Sequence, residues 1–191
     1  MAEGATAREA RRNPGKHIGA EKLFDKSRQV AALLGAEEPI FAKLHDNRMD
    51  SYDFLDIVKI IEQITRKIEP EIVYTHHGGD LNIDHRIIHE AVVTACRPQP
   101  GESVRRLLAF EVPSSTEWQP PGSNIAFEPN WFEDVSENID CKIKALKIYK
   151  SEIREWPHAR SLENVEHLAR FRGATIGCSA AESFILLRAI Q

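Results

Sequence analysis

Between Pro70 and Val112 the chain reads as strand, turn, helix and strand, and this order constrains the fold more than any other feature of the sequence. The run "EIVYTH" (71–76) is rich in β-formers, and Pro70 stops the helical pattern that precedes it. Gly78-Gly79 supplies a turn, residues 84–96 carry helical apolar spacing, and "RLLAFEV" (106–112) forms a second strand. A hairpin joins antiparallel strands, whereas a helical crossover brings the chain back parallel to its first strand. The segment therefore predicts a parallel pair, and its neighbours extend the pattern into an α/β protein.

Upstream, a helix runs from about His17 to Leu34, with Ile18, Leu23, Val30, Leu33 and Leu34 near one face and Gly35 as its stop. The preceding "MAEGATAREARRNPGK" is polar and reads as a loop. "PIFAKL" (39–44) is a short strand candidate, followed by the polar turn "HDNRMD" (45–50). Asp50 or Ser51 caps a helix on which Phe54, Leu55, Ile57, Val58, Ile60, Ile61 and Ile64 recur at helical spacing.

Downstream, residues 113–130 form a Pro/Ser/Trp-containing loop, longer than most connections and expected to face substrate. Asp134 with Glu137 predicts a capping box for a helix to about Lys150. Ser161 caps a last helix to about Ile176, and "ESFILLRAI" (182–190) reads as a buried strand. Strands alternating with helices imply one domain, a parallel sheet with helices on both faces.

Bulk properties remove several function classes. A net charge of −4 over 191 residues gives no electrostatic reason to bind nucleic acid or an anionic membrane. No apolar run reaches the roughly 20 residues that span a bilayer. Cys96, Cys141 and Cys178 are scattered, odd in number and outside C-x-x-C spacing, as expected of reduced thiols in a cytoplasmic protein.

The chemistry concentrates in "YTHHGGDLNIDHRIIHEAV" (74–92), which holds four of the eight histidines and two aspartates. Ligands of open α/β sheets bind at the carboxyl ends of the strands. "EIVYTH" delivers His76, His77 and Asp80 to that edge, where residues 45–50 and the loop after Val112 also emerge. His85 and His89 share a helix side, but Arg86 stands where a zincin H-E-x-x-H helix has its glutamate. His85 reads as a metal contact and His89 as packing. Asp84 either caps the helix or orients an imidazole.

This stretch resembles the histidine segment of the PIG-L/LmbE family of metal-dependent de-N-acetylases, usually His-Pro-Asp-His ahead of an apolar helix. "HDNRMDS", "FEVPSSTEW" and "RFRGATIGCSAAESFIL" agree with it in order along the chain. The resemblance implies a Rossmann-like fold and zinc-assisted hydrolysis of an N-acetyl group on an amino sugar or glycoconjugate. Position by position it makes His85 a zinc ligand, puts Asp84 at the motif's aspartate and brings Arg48 near substrate. Asn82 stands where the family has a histidine that stabilises the tetrahedral intermediate. Asn82 can donate a hydrogen bond to an oxyanion but cannot carry positive charge. His76, His77 or Asp80 are the residues positioned to compensate at the substrate.

The family's other two zinc ligands and its general base come from a His-Pro-Asp-Asp motif after the first strand, and no such motif occurs here. Three explanations fit: the motif and the first strands are encoded upstream of Met1, the chain is a degenerate sugar- or partner-binding paralogue, or a different set (His77, Asp80, His85 and His89) holds the metal. The first predicts a sheet lacking its N-terminal strands, with an open edge that favours self-association. It also predicts no useful amide hydrolysis from residues 1–191 alone. In the long loop, Ser114, Ser115 and Trp118 are candidate sugar contacts, Trp118 alternatively packing the loop against the body.

Overall fold

A computed structural model describes residues 18–191; the polar N-terminal segment and the start of the first helix lie outside the described residues. The elements run α1 (Ile18–Leu34), a 3-10 turn (Met49–Ser51), α2 (Phe54–Ile68), β1 (Ile72–His76), α3 (Ile83–Ala95), β2 (Arg106–Phe110), β3 (Trp131–Asp134), α4 (Ile139–Ile148), α5 (Leu162–Ala174) and β4 (Ala181–Ala189). They fall into two compact units, one of residues 18–49 with Asp134–Ala181, the other of Asp50–Glu133 with Glu182–Gln191.

In the second unit, β1 and β2 pair in parallel from Ile72↔Arg106 to His76↔Phe110, as the strand–helix–strand order requires. The full order is β1-β2-β4-β3. β4 runs antiparallel to β2, with Phe110↔Phe184 in register and an irregularity between Leu107 and Leu108, so the sheet is mixed rather than wholly parallel. The alternation that implies a parallel sheet fails at the chain's end, where two helices separate β3 from β4. Leu107, Leu108 and Ala109 of β2 are all buried, which fits a strand covered on both faces. β3 was not legible: "WFED" is short and its last two residues are exposed.

α2 buries Ile57, Val58 and Ile61, which recur at helical spacing. Its cap is Asp53, which accepts from Leu55 N at 3.2 Å, rather than Asp50 or Ser51. Those two lie in their own 3-10 turn, so the chain enters the helix only at Phe54. Glu69, at φ +50°, closes the helix by donating to Thr65 O at 2.7 Å, and Pro70 prevents continuation. α3 buries Ile88, Ala91, Val92 and Ala95 on a single face.

In the first unit, Tyr149 Oη donates to Ser27 Oγ at 3.0 Å, tying the end of α4 to α1. "PIFAKL" is not a strand; it holds an isolated bridge at Leu44, and Lys43 has φ +56°, incompatible with extended backbone. The capping box is also absent. Asn138 stands at the start of α4 without a side-chain cap, and Asp134 instead accepts from Ser136 N at 2.9 Å and from Ser136 Oγ. A carboxylate two residues from a free N–H closes an Asx turn before it reaches a helix start.

Ser161 does cap α5, accepting from Asn164 N at 3.1 Å, and it is fully buried. Ser161→Ala is expected to cost about 1 kcal/mol, read as a lower urea midpoint at unchanged slope. Among the described residues no helix is long and apolar enough to cross a membrane, and Cys96, Cys141 and Cys178 are free thiols.

Candidate active site

β1 ends at His76, and the turn that follows carries His77, Gly78, Gly79 and Asp80 beyond the strand's carboxyl end. Asp80 is its organising residue. It is 0% exposed, and its carboxylate accepts from Asn82 N at 2.8 Å, His85 Nδ1 at 3.0 Å, Thr116 Oγ1 at 2.8 Å and Ser115 Oγ. Burial opposes ionisation, but the donors from His85, Ser115, Asn82 and Thr116 overcome it and hold the carboxyl down at about 2. Arg86 fastens the same turn from outside, donating to Asp80 O and Leu81 O, each at 2.7 Å.

An ionised carboxylate can only accept, so His85 donates from Nδ1, which leaves Nε2 as the ring nitrogen that Asp80 does not engage. The His76 ring stacks on it, with centroids 4.1 Å apart and planes at 20°. Burial, and then the neighbouring His85, push His76 down to about 3, so it is neutral near pH 7. Its Nδ1 is buried with no hydrogen-bond partner, as is Oγ1 of Thr75, the preceding residue of β1.

The expected site residues thus divide. His76, Asp80, Asn82, Asp84 and His85 lie on one turn and the helix start after it. Asp80 cannot meet substrate as expected, because it is enclosed and all its donors are internal. It takes the imidazole-orienting role that sequence adjacency suggested for Asp84. Nor does Asp84 cap α3: Asn82 does, its Oδ1 accepting from Asp84 N at 2.9 Å. That leaves the Asn82 amide N–H groups as its donors. Asp84 is buried in the first turn of α3.

His77 is buried at 4% exposure and donates from Nε2 to Ile125 O at 2.9 Å, so it points into residues 113–130. His89 donates from Nδ1 to His76 O at 2.8 Å and fills the space beside Gly78, where a Cβ would lie 2.8 Å from its ring. Ser115 and Thr116 serve Asp80, which corrects the reading of Ser115 as a sugar contact. Trp118 is half exposed. Arg48 is exposed just ahead of the 3-10 turn, in the first unit.

The alternative four-residue metal set is not assembled. His77, His89 and Asp80 are each engaged as above, and among the described residues no group of three or more His, Cys, Asp or Glu is placed to hold a metal ion. The described residues therefore do not fit a complete zinc site.

Fold and site together define an α/β protein with an imidazole, oriented by a buried carboxylate, at the carboxyl edge of a parallel strand pair. The model of the PIG-L family, GlcNAc-PI de-N-acetylase, matches residues 1–96. The deacetylase YaiS of Escherichia coli (strain K12), itself described as uncharacterized, is 32% identical over 143 residues, 70% of this chain and 69% of that protein. This chain belongs to the PIG-L family.

The N,N'-diacetylchitobiose deacetylase from Pyrococcus horikoshii superposes with a TM-score of 0.72 at 16% identity, covering 98% of this chain and 71% of that one. GalB, the 4-carboxy-2-hydroxymuconate hydratase from Pseudomonas putida KT2440, gives 0.72 at 18% identity, covering 98% and 80%. At such identities the likeness is one of fold, and that fold serves both a deacetylase and a hydratase.

Proposed function

We propose that the chain carries one wall of a zinc-dependent deacetylase site that hydrolyses the N-acetyl group of an amino sugar or glycoconjugate. The observation that supports it is the Asp80–His85 pair. Metal-ligating imidazoles commonly donate their second N–H to a carboxylate, which fixes the ring and raises the basicity of the other nitrogen. The 3.0 Å bond from Nδ1 leaves His85 Nε2 in that state. Family membership adds the reaction class, since the matching model is that of a de-N-acetylase.

In this reading His85 is the ligand this wall supplies, held by Asp80, which Ser115 and Thr116 hold in turn. The Asn82 amide donates to the oxygen of the reacting carbonyl, as a neutral substitute for the family's histidine. A catalytic zinc takes about three protein ligands and a water. The described residues offer one of them, His85.

The absence of a three-donor group among the described residues favours a second reading, a non-catalytic binding module of the same fold. Titrating zinc, and separately N-acetylglucosamine, into the protein and into His85→Ala separates the two. The deacetylase reading expects zinc affinity to fall by roughly tenfold or more, since even a ligand's carboxylate partner is worth that much, and sugar binding to fall with it. Sugar affinity unchanged in His85→Ala, with zinc binding weak in both proteins, establishes the binding module instead. Tight stoichiometric zinc together with turnover by residues 1–191 would overturn the one-wall description.

A further inference from the structure

We propose that residues 113–130 form a strap, rooted firmly on Asp80 and latched at its tip by His77, which opens at the latch to admit substrate. The admission of an N-acetylated sugar rests on the deacetylase reading; the latch itself does not.

The strap is held to a single turn at two points, and its far end is tied to β4, with Asn130 N donating to Phe184 O at 3.0 Å and Leu186 N donating to Asn130 Oδ1 at 2.7 Å. At the root, Ser115 Oγ and Thr116 Oγ1 donate to the Asp80 carboxylate, and Leu81 N donates to Ser115 O at 3.4 Å. At the tip, His77 Nε2 donates to Ile125 O at 2.9 Å, and the His77 ring meets Phe127 edge-on at 5.4 Å. Residues 117–124 lie between points that His77 and Asp80 place three residues apart, so the strap closes on itself as an Ω-type loop does.

The anchors are unequal. The root consists of hydroxyl donors on an ionised acceptor, which are roughly twice as strong as neutral pairs. The tip is a single imidazole N–H on an uncharged backbone carbonyl, and the Ile125 side chain outside it is 79% exposed. Opening therefore takes place at the tip while Asp80 and His85 keep their geometry.

Gly79 makes the latch possible. A Cβ there would lie 2.0 Å from Ile125 O and 2.7 Å from His77 Nε2, colliding with both halves of the same hydrogen bond. The Ile125 carbonyl belongs to backbone and cannot swing aside as a side-chain end would. The sequence "HHGGD" thus reads as two functions in five residues: Asp80 sets the imidazole, while His77 and Gly79 seat the strap. This makes His77 a positioning residue with no contact to the reacting atoms.

Backbone hydrogen exchange on the full chain tests the latch without any turnover, so its outcome is independent of whether the protein proves to be a deacetylase. His77→Phe keeps the ring and removes the donor; Gly79→Ala blocks the seat; His77→Gln restores an N–H donor. Exchange in residues 117–127 is expected to rise roughly tenfold in His77→Phe and Gly79→Ala. Peptides from Arg106–Phe110 and Ile83–Ala95 should not change, and His77→Gln should stay near the parent rate. Equal strap exchange in all four proteins would overturn the latch. Acceleration spreading into β2 and α3, unrescued by His77→Gln, would also overturn it by making His77 an ordinary core residue.

Discussion

Asp80→Ala is expected to destabilise the protein by about 4 kcal/mol, because it removes the buried acceptor that four donors share. The carboxylate is fully buried and serves Asn82 N, His85 Nδ1, Ser115 Oγ and Thr116 Oγ1. Alanine leaves these four donors without their acceptor, and each buried, unpaired donor costs about 1–3 kcal/mol where water cannot replace it. Relaxation of the strap root lets some of them find solvent, which keeps the total below the simple sum. For a chain of this size the melting temperature should fall by about 8–16 °C. A urea series on Asp80→Ala checks the figure, and a loss below about 1 kcal/mol would mean that the carboxylate is not the organiser of the turn.

The same residue sets an acid limb. Asp80 has its carboxyl lowered from 3.8 to about 2 in the folded protein. A lowered carboxyl contributes stability that is complete above the unfolded value and disappears as pH falls through the folded one. The contribution, about 2 kcal/mol, is therefore present above pH 4 and lost between about pH 4 and 2. Asp80→Asn keeps the shape and one acceptor but has no such titration. Its stability should fall less steeply than the parent's across that window, in urea midpoints measured at successive pH values.

The sequence made the scaffold around this site legible and left its internal wiring hidden. β1, α3 and β2 follow from apolar periodicity and from Pro70 and Gly78-Gly79, because covered faces impose a period on the residues that form them. The direction of β4 has no such signature, since the residues of a buried strand look the same whichever way it runs. Asp84 was an attractive partner for His85 because it is adjacent, but successive helix positions do not face each other. Asp80 reaches the ring because the chain folds back through a turn, a relation no spacing rule encodes. The bond His77 makes is hidden for a similar cause. Its density among metal-capable residues suggested substrate, whereas its ring is turned into the strap, and only the position of Ile125 O reveals that. Asn82 stands where the resemblance places a histidine, and its capping bond to Asp84 N shows one thing the asparagine does in that place.

Gly173→Val is expected to cost about 3–4 kcal/mol, and the reason runs against helix propensity. Glycine inside a helix is unfavourable by roughly 1 kcal/mol relative to alanine, so propensity alone expects replacement of Gly173 by a better helix former to stabilise α5. However, a Cβ at Gly173 would lie 2.7 Å from Ala180 N, 2.7 Å from Cys178 O and 2.8 Å from Ala180 Cα. These are all backbone atoms, fixed where the chain turns from α5 towards β4, with Cys178 N donating to Gly173 O at 3.0 Å. No rotamer change relieves the contact, so the helix must move or the turn must open. Overpacking typically costs about 1–3 kcal/mol, and more where the neighbour cannot yield. Valine adds two methyl groups to the clash and recovers only a few tenths of a kcal/mol in propensity. Gly173→Ala is the sharper control: propensity requires a gain of about 1 kcal/mol, whereas the packing requires a net loss of about 2. The sign of its shift in urea midpoint decides between them, and a gain would mean that the approach of α5 to residues 178–180 is looser than the structure places it.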